Sequence, residues 1–241
     1  MRLIKNIGFA LILAIAFNAC FTAPTYPVVP QIEVLNDDLY FGRSKDGGFD
    51  SLVVSLKFKD GDGDLGIDDS FTSNAYKQIF YFTFQNQPVT YKTKRLNPSL
   101  KLPDFVSPYN CTNWEVQRNA SNVVTDTLYI ELNPNYYNIF VDFETKNPDG
   151  TFTKFDPATF FPYPNCSPQG YNGRFPVLSK DPGKKSPLDG KLIYSIKSLE
   201  IKDLFSTQTL RLKISIQDRA LNKSLPVTTK EFTLTGITKK G

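Results

Sequence analysis

The chain has 241 residues, a net charge of only +4 and no histidine. The absence of histidine excludes Ser-His-Asp and Cys-His catalysis and most zinc sites, so we expect no enzyme activity, with carboxylate-based glycoside hydrolysis left open in principle. The basic C-terminal quarter alternates lysines with apolar residues as a solvated sheet does, which argues against a nucleic-acid partner.

The first nineteen residues have the layout of a secretory signal peptide. A short positive head precedes an uncharged apolar run at residues 7–17, which is too short for a membrane-spanning helix. The end of this segment, with Ala19 directly before Cys20, resembles a lipobox, in which the cysteine thiol receives a diacylglycerol before cleavage. We therefore expect residues 1–19 to be removed and Cys20 to carry lipid. The alternative is a buried helix with a chance cysteine.

Residues 20–30 are predicted to form an extended tether. This stretch contains three prolines and no charge, a composition that keeps a chain extended. Each buried CH₂ of a lipid contributes about 0.8 kcal/mol, so two or three acyl chains on Cys20 would anchor the protein stably. We expect the tether to connect the membrane to a folded domain at residues 31–241.

Several later segments alternate apolar and polar residues with a period of two, which predicts strands with one buried and one solvated face. The clearest alternation runs through residues 52–58, 139–143, 210–216 and 232–234. Further strand candidates are residues 31–41, 78–84, 88–94, 127–132 and 191–204. Turn residues at 147–150 predict a hairpin over residues 139–155, and no long stretch shows helical spacing.

Two segments, residues 96–124 and 156–190, are predicted to be long loops, which in a compact domain are usually functional or cross-linked. They carry Cys111 and Cys166. With Cys20 lipidated, an oxidising compartment favours a disulfide between these two cysteines. Such a bridge would stabilise the fold by about 4 kcal/mol in the chain-entropy model. Two unpaired thiols are the alternative.

These elements indicate an all-β protein. Short strands separated by turn residues suit a β-sandwich, and the many Phe and Tyr residues suit a well-filled β core. We expect one antiparallel immunoglobulin-like β-sandwich with long stapled loops. A split into two domains near residues 96–125 is the alternative.

One acidic loop carries candidate chemistry. Residues 60–68 place Asp60, Asp62, Asp64 and Asp68 at positions 1, 3, 5 and 9 of a calcium loop. Calcium takes six to eight oxygen ligands, and clustered carboxylates repel one another without a cation. The loop is not an EF-hand, because position 6 is not glycine and no helices flank it. The alternative is a turn in which glycines supply positive φ and aspartates cap backbone amides.

Two phrases of the sequence resemble those of a known group. The Asp-Gly-Asp-Gly-Asp-Leu-Gly run at residues 60–66 resembles a recurring phrase of uncharacterised Bacteroidota lipoproteins with immunoglobulin-like folds. Residues 216–224 are similar to the D-x-A-G-N-x-S phrase that closes many bacterial immunoglobulin-like domains, with Leu221 in place of glycine. The resemblance implies a domain type whose two loops lie at one end, which would bring Asp218 to the acidic loop as a further ligand. Alternatively, Asp218 and Asn222 build only their own turn.

The same resemblance bears on location. Surface-exported lipoproteins of this bacterial group often carry acidic residues just after the lipidated cysteine, and none occurs here before Glu33. We therefore expect a lipid-anchored outer-membrane protein, with the periplasmic face favoured over the cell surface.

The expected function is that of a cell-envelope binding or structural module that presents loops to a protein or glycan. The alternative is a carbohydrate-binding accessory lipoprotein of a polysaccharide-uptake system, in which exposed aromatic side chains stack on sugars. The aromatic candidates are Trp114, Tyr163 and Tyr171. In the other interpretation, these side chains pack the loops onto the core.

Overall fold

The computed structural model describes residues 24–43, 48–68, 71, 74–101, 114–156, 170–181, 183–198 and 201–239. The predicted signal peptide with Cys20, the predicted disulfide partners Cys111 and Cys166, and Tyr163 lie outside the described residues. Within the described part of the chain, no helix is both long and apolar enough to cross a membrane.

The described residues form antiparallel β-sheets with two short α-helices. The strands are β1 (Gln31–Val34), β2 (Tyr40–Gly42), β3 (Asp50–Asp60), β4 (Ile79–Tyr81), β5 (Thr83–Phe84), β6 (Gln87–Pro88), β7 (Trp114–Arg118), β8 (Val124–Leu132), β9 (Ile139–Lys146), β10 (Phe152–Lys154), β11 (Leu188–Ser198), β12 (Leu210–Ile216) and β13 (Val227–Thr228). The helices are α1 (Tyr91–Leu96) and α2 (Ile201–Phe205). The predicted all-β class is therefore confirmed.

The first sheet is built around β3. This strand pairs with β11 along its whole length, with Asp60 opposite Leu188 at one end, and its other edge carries β1 and β2. Both faces of its centre are buried, since Val53 and Ser55 are covered as well as the alternating Leu52. A long strand buried on both faces carries its last residue, Asp60, into the interior of the protein.

The second sheet has the strand order β10-β9-β12-β13. Strands β9 and β10 form the hairpin that the sequence predicts, closed by a bond from the Asn147 amide to the Thr151 carbonyl at 2.7 Å. Strand β12 lies along the opposite edge of β9, from Leu210 opposite Thr145 to Ile216 opposite Ile139.

One hydrophobic core joins the two sheets in a sandwich-like arrangement. Alternate residues of β3 (Leu52, Leu56) and of β12 (Leu212, Ile214) are fully buried in it. Each such side chain contributes about 1.5–3 kcal/mol by its removal from water. The period-two pattern of the sequence therefore identifies the inward faces of both sheets.

The part of the chain that runs from β3 to β9 forms a smaller layer. Strands β4, β8 and β7 make a three-stranded sheet, and β5 pairs with β6. Val89 and Tyr129 form a separate small core there. The Asn133 side chain donates to the carbonyls of Ala75 and Lys77 at 2.8 and 2.7 Å, which fixes the segment leading into β4. Strands β4 and β8 pair with each other. The alternative domain boundary, near residues 96–125, lies between them in the sequence.

The strand predicted at residues 88–94 is wrong, because β6 ends at Pro88 and α1 follows. The Thr90 side chain caps this helix by accepting a bond from the Thr93 amide at 3.0 Å. Lys94 and Arg95 lie in its last turn, where cations interact favourably with the helix dipole.

The strand predicted at residues 191–204 ends at Ser198, and α2 replaces its last part. Ile201, Leu204 and Phe205 have the i, i+3, i+4 spacing of one helix face, and both Ile201 and Phe205 are buried. The same run of apolar residues is compatible with the period of a strand and with that of a helix. The helix forms because it packs its apolar face against the main core.

The predicted loops also contain strands. Strand β7 lies inside residues 96–124, and β11 begins inside residues 156–190. At the C-terminal end, β13 precedes the predicted strand at 232–234, where Phe232 makes only an isolated bridge to Leu210. β11 pairs with the distant strand β3, whereas β7 pairs with β8, the next strand along the chain.

Candidate metal centre

The acidic loop begins where β3 ends, and two glycines shape it. Gly63 and Gly66 have φ of +71° and +97°, a region that residues with a side chain rarely adopt. A Cβ on Gly66 would lie 2.1 Å from the Pro176 carbonyl oxygen, and one on Gly63 would lie 2.2 Å from that of Ser186. Glycine is therefore required at both positions by conformation and by space.

Apolar residues anchor the loop between these glycines and beyond them. Leu65 is fully buried and Ile67 nearly so. The Ile67 amide donates to the Phe175 carbonyl at 3.0 Å, and the Leu65 carbonyl accepts from the Leu178 amide at 3.1 Å. With these apolar side chains packed inward, the aspartates that precede them in the loop lie at the edge of the protein interior.

Four aspartates meet at this loop, and we call Asp60, Asp62, Asp64 and Asp218 the aspartate cluster. One carboxylate oxygen from each lies within 4.8 Å of the other three. Asp60 and Asp218 are fully buried, whereas Asp62 and Asp64 are half-buried. The cluster is thus an inward-facing group of oxygen ligands.

Backbone and side-chain donors hold one oxygen each of Asp60 and Asp64 and both oxygens of Asp218. Asp60 Oδ2 accepts from the Asp64 amide at 3.0 Å, and Asp64 Oδ2 accepts from the Ala220 amide at 3.1 Å. Asp218 accepts from the Asn222 amide at 2.7 Å and from the Asn222 side-chain amide at 2.9 Å. These bonds orient the cluster through contacts between two distant loops.

Three carboxylate oxygens of the aspartate cluster are buried and have no hydrogen-bond partner among the described residues. They are Oδ1 of Asp60, Oδ1 of Asp62 and Oδ1 of Asp64. A buried acceptor that lacks a partner costs about 1–3 kcal/mol, and more when it is charged. Three such atoms in one place fit a site where a cation supplies the missing interaction.

The electrostatics of the aspartate cluster point the same way. Burial, followed by the carboxylates of Asp64 and Asp62, raises the pKa of Asp60 to about 7. Burial and the Asp218 carboxylate raise the pKa of Asp64, while nearby Arg219 opposes that shift. Burial also raises the pKa of Asp218. The folded chain therefore concentrates negative charge that it compensates only in part.

Two basic side chains approach the cluster. Lys185 Nζ lies 3.6 Å from Asp62 Oδ2, but the Lys185 side chain is 86% exposed, so solvent screens this pair. The Arg219 guanidinium donates instead to the Gly66 carbonyl at 3.1 Å. Sequence reasoning missed Arg219, although its position next to Asp218 is a signal that could have identified it.

Asp68 does not belong to the aspartate cluster, although the calcium-loop spacing predicts it as a ligand. Its side chain is exposed, and its backbone carbonyl accepts from Arg174 Nη2 at 2.9 Å. The chain leaves the loop at Gly66, and the pairing of Ile67 with Phe175 then carries Asp68 away from the other carboxylates.

Asp218 lies where the loop resemblance places it, and its role as a ligand stays a prediction. It builds a turn with Asn222, and it also lies beside the three loop aspartates. A bridge between Leu65 and Asp218 and a bond from the Arg219 amide to the Asp64 carbonyl at 3.2 Å hold the two loops together.

Of the three aromatic side chains predicted to stack on sugars, the structure describes one. Tyr171 packs against the main core, with its ring centroid 4.2 Å from that of Phe143, which agrees with the packing interpretation. Trp114 begins β7, and its side chain lies outside the described part of the structure, as does Tyr163.

Comparisons of this chain with protein-family models, with curated proteins and with solved structures find no match. The resemblance to Bacteroidota lipoproteins therefore stays a prediction. What the chain does has to be inferred from the chemistry of its own residues.

Proposed function

We propose that this chain is a cell-envelope binding module in which the loops at one end of the sandwich fold around a calcium ion. The aspartate cluster holds this ion. The observation that carries the proposal is the burial of Asp60 among other carboxylates. Its side chain is fully buried beside three other carboxylates, and its Oδ1 has no hydrogen-bond partner among the described residues.

The ligand chemistry favours calcium. The cluster offers oxygen atoms alone, which suits a hard cation, and zinc sites instead use Cys and His to a large extent. Calcium accepts six to eight oxygens in flexible geometry, and backbone carbonyls and water complete such a shell. Magnesium demands a strict octahedron and gives up its water reluctantly, so it suits an irregular four-carboxylate group less well.

Calcium in this position acts as a structural clamp. Asp64 and Ala220 are already bonded across a separation of 156 residues, and the ion adds charge-neutralising contacts to the same junction. The loops at this end of the sandwich are then held in one arrangement, as a surface that recognises a partner requires.

The N-terminal segment supports a proposed location for the module. The Gly61 amide donates to the Pro27 carbonyl at 2.8 Å, so the chain already contacts the fold seven residues after Cys20. Seven extended residues span at most about 25 Å. We propose that lipid on Cys20 holds the module at the outer membrane, periplasmic face, with the calcium loop close to the bilayer.

The test is a melting curve in calcium, in magnesium and without metal. An ion at a hundred times its dissociation constant stabilises a fold by about 2.7 kcal/mol. For a protein of this size, that raises the Tm by roughly 5–10 °C. We expect this shift in millimolar calcium, a smaller one in magnesium, and none when Asp62→Asn and Asp64→Asn are combined.

Asp68→Asn is the matched control, because Asp68 lies in the same acidic run but outside the aspartate cluster. This variant should keep the full calcium shift. If the wild-type Tm does not respond to calcium, and no metal accompanies the natively purified protein, the acidic loop is a turn and the calcium proposal fails.

A further inference from the structure

A second concave site lies beside the aspartate cluster. It is an open cleft of about 620 Å³ with five aromatic side chains in its wall: Phe71, Tyr76, Phe80, Tyr81 and Tyr136. Small-molecule sites commonly have volumes of about 300–1,000 Å³ and apolar or aromatic walls with a few polar groups. We call this site the aromatic cleft.

The aromatic cleft is positively charged. Lys77 and Arg174 lie in its wall, and none of the described residues that line it is Asp or Glu. Within the described part of the chain, Lys77 forms no salt bridge, and Arg174 Nε is buried without a hydrogen-bond partner. An ammonium and a guanidinium in one wall both donate charge-assisted hydrogen bonds to a carboxylate, so this wall suits an anion.

The polar groups of the aromatic cleft are held in place. The Arg174 guanidinium stacks 4.8 Å from the centroid of the Tyr136 ring while it donates to the Asp68 carbonyl. Tyr76 donates through its hydroxyl to the Arg219 carbonyl at 2.5 Å, and its ring meets Phe71 edge to face at 5.5 Å. A cleft with such fixed walls loses little conformational entropy when it binds a ligand.

Two aromatic rings of the cleft are accessible. Phe80 and Tyr81 are 39% and 43% exposed, and the Tyr81 hydroxyl donates to Glu115 Oε2 at 2.6 Å. Phe80 and Tyr81 are consecutive residues of β4, so their side chains project to opposite faces of the strand. Since the Tyr81 hydroxyl is held by Glu115, Phe80 is the ring that remains for a ligand. Flat aromatic faces suit a ligand that presents C–H groups on one side and polar groups around its rim, as a sugar ring does.

We propose that the aromatic cleft binds an acidic glycan, with a uronic acid carboxylate at Lys77 and Arg174 and the sugar ring on Phe80. The cleft volume accommodates one or two sugar rings. This inference rests on the proposed binding role and names its ligand class. It does not depend on the identity of the metal.

The test is isothermal titration calorimetry of the calcium-loaded protein with disaccharides that contain glucuronate, galacturonate or mannuronate, each beside its neutral counterpart. We expect at least one uronate to bind with at least tenfold higher affinity than the neutral sugar, and with an affinity that falls as salt rises. The inference is overturned if no uronate binds at millimolar concentration, if neutral sugars bind equally well, or if a tetraglutamate peptide binds more tightly than every uronate.

Matched variants locate the binding. Lys77→Gln and Phe80→Ala should each weaken uronate binding at least fivefold. Lys197→Gln and Phe49→Ala change an exposed lysine and an exposed phenylalanine outside the cleft and should leave it unchanged. Equal losses in both sets would place the ligand elsewhere and contradict the inference.

The same samples separate this inference from the calcium proposal. Lys77→Gln and Phe80→Ala do not alter the aspartate cluster, so both variants should retain the full calcium-dependent Tm shift. A calcium response without any uronate binding refutes the glycan site alone. Uronate binding by a protein that ignores calcium supports the glycan site and refutes the metal proposal.

Discussion

At the scale of single residues, the burial of Asp60 makes the metal-free fold sensitive to pH. The pKa of Asp60 is about 7 in the fold against an ordinary 3.8, because burial and two neighbouring carboxylates disfavour its charge. Between these values the folded chain binds more protons than the unfolded chain, so the free energy of unfolding falls as pH rises from about 4 to 7. We expect metal-free protein to melt at least several degrees lower at pH 8 than at pH 5.

Calorimetry on dialysed, metal-free protein measures this dependence. Calcium should abolish most of it, since the ion stabilises the charged form of the cluster. Asp60→Asn carries no titrating proton and should flatten the curve without metal. An unchanged slope in Asp60→Asn would assign the dependence to other groups.

Gly66 offers a second prediction at this scale. Gly66→Ala would place a methyl group 2.1 Å from the Pro176 carbonyl in a backbone with positive φ. The conformation alone costs about 1–2 kcal/mol, and the clash adds to it. Urea denaturation should show a loss larger than about 2 kcal/mol.

Gly150→Ala is the control for conformation without a clash. Gly150 also has positive φ, but no atom lies within 4 Å of the added Cβ. Its loss should stay near 1–2 kcal/mol. Equal losses at the two glycines would mean that the loop around Gly66 yields easily, and would weaken the case for a pre-shaped metal site.

Sequence alone predicted part of the aspartate cluster. Asp60, Asp62 and Asp64 share one short loop, so their spacing suffices to bring them together. Asp218 was reached only through the resemblance of its loop phrase. Asp68 lies outside the cluster because the course of the chain after Gly66 depends on the backbone partner of Ile67. That partner, Phe175, lies far along the chain, so the spacing of the loop does not reveal it.

At the scale of elements, β11 contains a matched pair of isoleucines. Ile196 is 4% exposed in the core, whereas Ile193 on the same strand is 62% exposed. Ile196→Ala should cost roughly 2–5 kcal/mol through lost burial and the cavity that remains. Ile193→Ala should change the free energy of unfolding by no more than about 0.5 kcal/mol. Chemical denaturation of both variants measures the difference, and similar losses would contradict this orientation of β11.

The elements that sequence predicted correctly carry a pattern that their own residues specify. The β9–β10 hairpin and β12 are of this kind, because local turn chemistry or strict alternation specifies them. Helix α2 and strand β7 were missed, since one is a short apolar run that suits two periods and the other depends on β8 for its pairing. Strand order was not predictable either, because contacts such as β3 with β11 join segments more than a hundred residues apart.

At the scale of the whole molecule, the aspartate cluster joins two loops from distant parts of the chain. Residues 60–66 follow β3 of the first sheet, and Asp218 follows β12 of the second. The proposed ion, shared by these loops, would connect the two sheets at one end of the sandwich. Its binding energy should therefore protect both loops from local opening, although they are distant in sequence.

Hydrogen exchange measures this coupling directly. With calcium, the amides of residues 61–67 and of residues 217–222 should both exchange more slowly than in metal-free protein. The β9–β10 hairpin lies outside these two loops and serves as the internal control; its exchange should change little. Protection confined to residues 61–67 would mean that Asp218 serves only its own turn with Asn222. Protection of both loops, with the hairpin unchanged, is the result expected when Asp218 and the β3 loop bind one ion together.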